Sequence, residues 1–191
     1  MYPPETFQAL LTTLAELLRS HGIRFHLTGG IVSAWYNEPR YTQDADLVVD
    51  QQRITSTIDE LIQGFRQRDY LFHEPSVRDA VRQGRMFQIY DQQESLKADI
   101  YPGELVAGEL DRSQEIEIFP GTTLPIVSRA DLAVAKLIWI SRGSHRSRRD
   151  LRRILRQATE EEREFIDTEA QERSLSDLLA EVLSESDGID G

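Results

Sequence analysis

Two adjacent glycines, thirteen further residues, and then two aspartates separated by an alanine narrow what this chain can fold into more than any other feature. Residues 23–28 (IRFHLT) alternate in polarity as a strand does, and Gly29-Gly30 follows at once. Residues 31–36 read as a short helix, residues 38–43 as a loop, and residues 45–50 (ADLVVD) as a second strand. Side chains two apart in a strand project to one face. Asp44 and Asp46 would therefore present two carboxylates side by side, with Leu47 and Val49 turned to the core. A strand running into a helix through two glycines also suits an anion, because backbone N–H groups can approach phosphate oxygens and the helix dipole favours negative charge. The plainer reading is a tight turn that needs a positive φ. Ser33 lies one turn into the helix, within reach of the same phosphates.

A D-x-D on its own carries little weight. Fifteen aspartates in 191 residues generate about one such spacing by chance. Its position after the strand–glycine–helix unit gives it weight, and so does Asp99 in the strand-like run 96–101 (LKADIY). Asp99 would be the third carboxylate; the plainer reading is an edge-strand aspartate facing solvent between Lys97 and Tyr101. Neighbouring carboxylates repel unless a cation lies between them. Oxygen-only ligands suit Mg2+ or Mn2+. Three carboxylates can hold two such ions, one on a triphosphate and one on an acceptor hydroxyl. In that arrangement Asp44, Asp46 and Asp99 are the catalytic, metal-binding residues, and Asp99 ligates the second ion and helps to deprotonate the acceptor.

The rest of the chain frames these residues. The 3,4 spacing of Phe7, Leu10, Leu11, Leu14, Leu17 and Leu18 predicts an amphipathic helix over 4–20. A helix is expected over 52–67, a short helix or loop over 76–84, and two hairpins from 86–91 with 95–101 and from 114–119 with 124–127. Ser128 is placed to cap a helix reaching about residue 141, and residues 147–157 and 160–183 read as further helices. The fold class is α+β: a mixed sheet flanked by helices over 1–127, then a helical part over 128–191 packed on it and ending in an acidic tail. Trp35, Tyr36 and Trp139 read as core rather than base-stacking residues.

Composition excludes several chemistries. The absence of cysteine removes disulfides, thiolate nucleophiles and Cys-based zinc sites, and four histidines without metal-ligand spacing argue against a histidine-built centre. The N-terminal MYPPETF lacks a basic region followed by an apolar one, and the longest apolar run, 132–140, is too short to span a bilayer. A cytoplasmic chain without a membrane partner is expected. Nearly all of the net charge of -11 belongs to residues 157–191, where 12 acidic residues face 2 basic ones. Residues 141–156 hold seven arginines and one acid. They are either a contact for a triphosphate or an RNA acceptor, or a solvated face paired with the acidic stretch beginning at Glu160. Lys136, the single charge between Asp131 and Arg142, either snorkels to water or meets bound phosphates.

Residues 27–34 (LTGGIVSA) with 40–47 (RYTQDADL) resemble the nucleotidyltransferase (polymerase-beta-like) superfamily, whose pattern is G-[GS] followed by D-h-[DE]-h. The R-x-T-x-D-x-D form resembles the small bacterial branch containing the abortive-infection type E (AbiEii-like) toxins. Residues 131–136 (DLAVAK) and 148–151 (RRDL) are similar to that branch's later lysine and R-x-[KR]-D-like segment. The resemblance covers about residues 23–156. It implies metal binding by Asp44 and Asp46, and NTP binding through Gly29, Gly30, Ser33, Arg40, Thr42, Lys136, Arg148 and Asp150, with Asp150 as partner of Lys136. It implies transfer of an NMP from an NTP such as ATP to a hydroxyl: a tRNA or other RNA 3′ end, or a protein side chain, within a toxin–antitoxin pair. Ala45 departs from the bulkier aliphatic residue usual there. Two alternatives stay open, a non-catalytic nucleotide- or partner-binding module of the same fold and an aminoglycoside-type small-molecule nucleotidyltransferase.

Overall fold

The structure, a computed structural model, describes residues 1–37 and 41–185. The chain divides into two compact units, 1–127 and 128–191. Arg40 lies outside the described residues.

The first unit is built on a seven-stranded mixed sheet. Its strands are β1 (Phe25–Thr28), β2 (Asp44–Val49), β3 (Tyr70–Leu71), β4 (Phe87–Asp91), β5 (Leu96–Pro102), β6 (Gln114–Phe119) and β7 (Thr122–Ile126), in the order β3-β4-β5-β2-β1-β7-β6. β2 is antiparallel to β1 and parallel to β5, and β4–β5 and β6–β7 are the two expected hairpins. The register matters most at the centre: Thr28 stands opposite Asp46, and Asp46 opposite Asp99.

Five helices accompany this sheet among the described residues: α1 (Gln8–Ser20), α2 (Gly29–Tyr36), α3 (Gln51–Ser56), α4 (Ile58–Gln67) and α5 (Glu74–Gln83). The leucines of α1 that share a face, Leu10, Leu11, Leu14, Leu17 and Leu18, are all buried. Pro4–Phe7 forms a 3-10 turn ahead of α1 instead of its first turn. Gly64 of α4 lets α1 come close, since a Cβ there would lie 2.5 Å from Leu17 Cδ1. The single helix expected over 52–67 breaks at Thr57, which caps α4 from a non-helical conformation. Asp50 caps α3, its carboxylate accepting the Arg53 N–H at 2.9 Å. β3 is a two-residue strand, too short to leave a periodic signal.

The second unit holds α6 (Arg129–Ser141), α7 (Arg146–Arg156), α8 (Glu160–Glu172) and α9 (Ser176–Ser184). α6 touches each of the other three. Ser128 caps it, accepting the Asp131 N–H at 3.1 Å and donating to Asp131 Oδ2 at 2.5 Å. α8 opens with a full capping box between Thr159 and Glu162. The helix expected over 160–183 is interrupted after Glu172, where Ser174 takes a positive φ of 57°. Two aromatic expectations fail: Trp35 is 46% exposed and Trp139 37%, with the Arg142 guanidinium over the Trp139 ring. Tyr36 is anchored, its hydroxyl donating to Val127 O at 2.9 Å.

Candidate active site

The β1–α2 turn and the two central strands bring the site together. Gly29 opens α2 with φ +66°. A Cβ built on it would lie 1.9 Å from Asp46 Oδ2 and 2.5 Å from Asp46 Cγ. The carboxylate thus occupies the space that any other residue's side chain would need. The reading of the glycine pair as a turn that needs a positive φ holds at Gly29. The Gly30 N–H points toward Asp46 Oδ2 at 3.5 Å, the long limit of a hydrogen bond. Ser33 is buried, and its hydroxyl donates to Gly29 O at 2.7 Å, so it braces the glycine turn from within instead of reaching outward as expected. Thr42 is buried too: it exchanges backbone hydrogen bonds with Tyr2 and donates from Oγ1 to Asp44 O at 3.1 Å, fixing the entry to β2.

Asp44, Asp46 and Asp99 share one sheet face, as alternation and parallel register require. The residue opposite Asp44 is Lys97. Its Nζ lies 3.1 Å from Asp44 Oδ2 and 3.1 Å from Asp99 Oδ2. The other oxygen of Asp99 accepts from Gln88 Nε2 at 3.1 Å. The Tyr101 hydroxyl donates to Asp46 Oδ1 at 3.3 Å. Each oxygen of Asp99 thus accepts one hydrogen bond, and the cation between Asp44 and Asp99 is an ammonium. Among the described residues no three His, Asp or Glu side chains are grouped to hold a metal ion as they stand.

The electrostatics follow from this packing. Burial raises the Asp99 pKa above the ordinary carboxylate value and the Asp44 charge adds to it, against the opposing pull of Lys97 and Gln88. Burial works against the charge on Lys97, but hydrogen bonds to Asp44 and Asp99 outweigh it and the pKa is raised. Burial, followed by the Asp46, Asp99 and Asp44 charges, holds the Tyr101 phenol far above its usual range, so it is a donor to Asp46 and not an anion.

The carboxylates of this face offer oxygen donors, the ligand type that suits a hard divalent cation. Sequence reasoning missed Lys97, Gln88 and Tyr101 as participants. Lys97 and Tyr101 could have been found from alternation with Asp99; Gln88 faces it only through the β4–β5 register.

The remaining site candidates lie in the second unit. Lys136 Nζ donates to Asp150 Oδ2 at 3.0 Å, and both residues are buried. Arg148 pairs with Glu181, and with Glu185 at 2.6 Å; Arg152 also pairs with Glu185. Arg148, expected at the nucleotide, is thus held by the acidic C-terminal stretch. Glu181 and Glu185 come from the 157–191 stretch that the alternative reading paired with the arginines. Arg149 and Arg156 are exposed.

Comparison with known proteins follows the same line. Residues 12–186 match the family model for the nucleotidyl transferase AbiEii toxin of type IV toxin–antitoxin systems. No curated protein sequence is significantly similar to the chain. Among solved structures, an antigenic nucleotidyltransferase-like protein from Paracoccidioides brasiliensis aligns over 95% of this chain and 94% of its own, with TM-score 0.55 and 16% identity. The antibiotic-resistance factor ANT(2'')-Ia aligns over 93% of this chain and 96% of its own, with TM-score 0.58 and 13% identity. Its complex with adenylyl-2''-tobramycin aligns over 94% and 98%, with TM-score 0.51 and 11% identity. At these identities the likeness is one of fold. Among the described residues no helix is long and apolar enough to cross a membrane.

Proposed function

From the AbiEii nucleotidyltransferase family, to which this chain belongs over residues 12–186, we propose that it transfers an NMP from an NTP to a hydroxyl on a tRNA or other RNA 3′ end or on a protein side chain, as the toxin of a toxin–antitoxin pair. The observation that carries the reading is the shared face of Asp44, Asp46 and Asp99 beside a glycine turn whose missing Cβ leaves room for Asp46. Asp44 and Asp46 are the residues to hold a divalent cation, Mg2+ or Mn2+. Such an ion neutralises triphosphate charge and favours in-line attack at the α-phosphate.

The chain's own residues do the rest. Gly29 leaves room for Asp46 at the start of α2, and the Gly30 N–H is the backbone donor there for a phosphate oxygen. Ser33 keeps the turn in shape through Gly29 O. Asp99 takes the proton of the attacking hydroxyl. Burial raises its pKa and so makes it a better base than an exposed aspartate. Tyr101 holds Asp46 in orientation through its hydroxyl. Thr42 fixes the start of β2, and so the position of Asp44.

The test is transfer of label. The full chain is incubated with each α-labelled NTP, with Mg2+ or Mn2+, and with total tRNA, total protein or an aminoglycoside. Label is expected on tRNA or protein, and lost with Asp46→Asn. Label on the aminoglycoside would move the acceptor to the small-molecule class of ANT(2'')-Ia. Absence of both transfer and NTP binding under all conditions would overturn the enzymatic reading in favour of a partner-binding module.

A further inference from the structure

We propose that the corner between α6 and α7 binds an RNA strand, with phosphates on the guanidinium groups of Arg142, Arg146 and Arg149 and a base stacked at Trp139. The strand is the acceptor of the transfer reaction, so the proposal rests on the RNA form of that reading and adds where the RNA is held.

The arginines of 141–156 divide into two groups. Arg148 and Arg152, four residues apart on α7, are taken by Glu181 and Glu185 of the C-terminal stretch. Other acids of that stretch meet cations elsewhere, Glu162 with Arg129 and Glu169 with Arg173. Among the described residues no carboxylate pairs with Arg142, Arg146 or Arg149, and all three are exposed. They belong to residues 141–149, which contain four arginines, one histidine and no acid.

The fold gives no reason for these cations. Arg146 opens α7 and Arg149 lies one turn on, at the end of the helix where the dipole disfavours positive charge. The buried side of the helix is filled by others, Leu151, Ile154 and Leu155 among them. Side chains three apart on a helix stand about 5–6 Å apart at Cβ, so these two long arginines can take neighbouring phosphates of one strand.

The aromatic partner is built in. Trp139 is 37% exposed, and the Arg142 guanidinium lies 5.2 Å from its ring centroid. A guanidinium over a ring keeps its in-plane N–H donors for phosphate. The turn is closed by the Ser144 N–H donating to Trp139 O at 2.9 Å, with Gly143 at φ +98°, and this holds the Trp139–Arg142 stack at the start of α7. Unstacked RNA bases pack on aromatic rings and guanidinium planes of this kind. The net charge of -11 does not cancel the cluster, because charges beyond about 8 Å are largely screened at physiological salt.

The test is fluorescence anisotropy of a fluorescein-labelled single-stranded RNA of mixed sequence, titrated with the full chain at several salt concentrations. Three guanidinium–phosphate contacts give a slope of about -2 in log affinity against log salt. The Arg142→Gln/Arg146→Gln/Arg149→Gln protein should bind about 10-fold or more weakly, with a flatter slope. Arg66→Gln/Arg82→Gln/Arg85→Gln, which removes the same charge from exposed arginines of the first unit, should bind as wild type does. In a Trp35→Phe background the remaining tryptophan is Trp139, and its emission should be quenched by unlabelled RNA; this reads the site with its arginines intact. Absence of RNA binding, equal losses in the two triple variants, or unquenched Trp139 emission would each overturn the proposal. So would binding to phosphatidylserine vesicles in place of RNA. RNA bound here without labelled transfer to it would support the site and remove RNA as the acceptor. Transfer to RNA at an unchanged KM in the first triple variant would overturn the site and leave the reaction standing.

Discussion

Lys97 in the sheet unit and Lys136 in the helical unit both sit mostly out of water with an aspartate 3.0–3.1 Å away, yet their surroundings differ. Lys136 of α6 meets Asp150 of α7, the two side chains 9% and 11% exposed. Lys97 meets two aspartates, with a third beside them, on a strand face that is still partly open. The main property of a buried ion pair is that losing one partner costs far more than losing both. Carboxylates gathered on a partly open face repel one another and favour the approach of a cation. The same pair of residue types thus acts as a fastener in one unit and as part of a carboxylate-rich face in the other.

The largest effect that could break this contrast is on catalysis. Asp46→Asn removes charge from the cluster, and transfer is expected to fall about 10³-fold or more, roughly 4 kcal/mol of barrier. The urea midpoint should stay at or above wild type, because the variant relieves repulsion. A folded, fully active Asp46→Asn protein would place the chemistry elsewhere.

Lys136→Met should do the reverse. It takes the ammonium away from a buried carboxylate and is expected to cost about 3–5 kcal/mol of stability, read by equilibrium denaturation. The Lys136→Met/Asp150→Leu double variant should regain most of that loss. If transfer returns with stability, the pair serves the fold alone; if transfer stays absent in the stable double variant, Lys136 also contacts nucleotide, as the family resemblance implies.

Gly29→Ala tests how rigid the open face is. The added carbon cannot coexist with Asp46 Oδ2, so the carboxylate or the turn must shift. A misplacement of this size in a catalytic group is expected to lower transfer about 10²-fold. The positive φ adds roughly 1 kcal/mol of destabilisation. An active, equally stable Gly29→Ala would show that the approach is not required.

The smallest effect concerns Tyr70, a buried phenol. Burial, with the Asp91 charge, pushes the Tyr70 phenol up to about 12 from 10, and Arg68 pulls weakly the other way. The unfolded chain releases this proton first, so Tyr70 supports the fold fully below pH 10 and loses that support as pH rises through about 12. Denaturation midpoints of wild type should fall across that window more steeply than those of Tyr70→Phe. Parallel curves would remove the effect.

The contrast also marks what the sequence could disclose. The D-x-D face, the glycine turn and the strand around Asp99 follow from alternation and local punctuation, which nearest neighbours in the chain decide. That Asp99 stands opposite Asp46, and Lys97 opposite Asp44, depends on a parallel pairing between distant strands that no local pattern encodes. In the sequence Lys97 is only a neighbour of Asp99. A helix beginning at residue 31 would leave the Ser33 hydroxyl near the phosphates. With the helix opening at Gly29, its hydroxyl falls four residues beyond an available carbonyl and turns inward. The breaks at Thr57 and near Ser174 leave no local sign because hydrophobic periodicity runs through both.

The parallel union of β2 with β5 has a consequence for the order in which the molecule is made. Asp46 and Asp99 are separated by α3, α4, β3, α5 and β4, all of which must be accommodated before the two strands can zip. Closing so long a loop is slow compared with forming a helix or hairpin. The β1–α2–β2 segment, with its glycine turn and first two carboxylates, can emerge from the ribosome and take local shape well before the strand that bears Asp99 and Lys97. The shared face of the three aspartates is therefore assembled late. A half-folded chain carries Asp44 and Asp46 without Asp99 and Lys97 beside them.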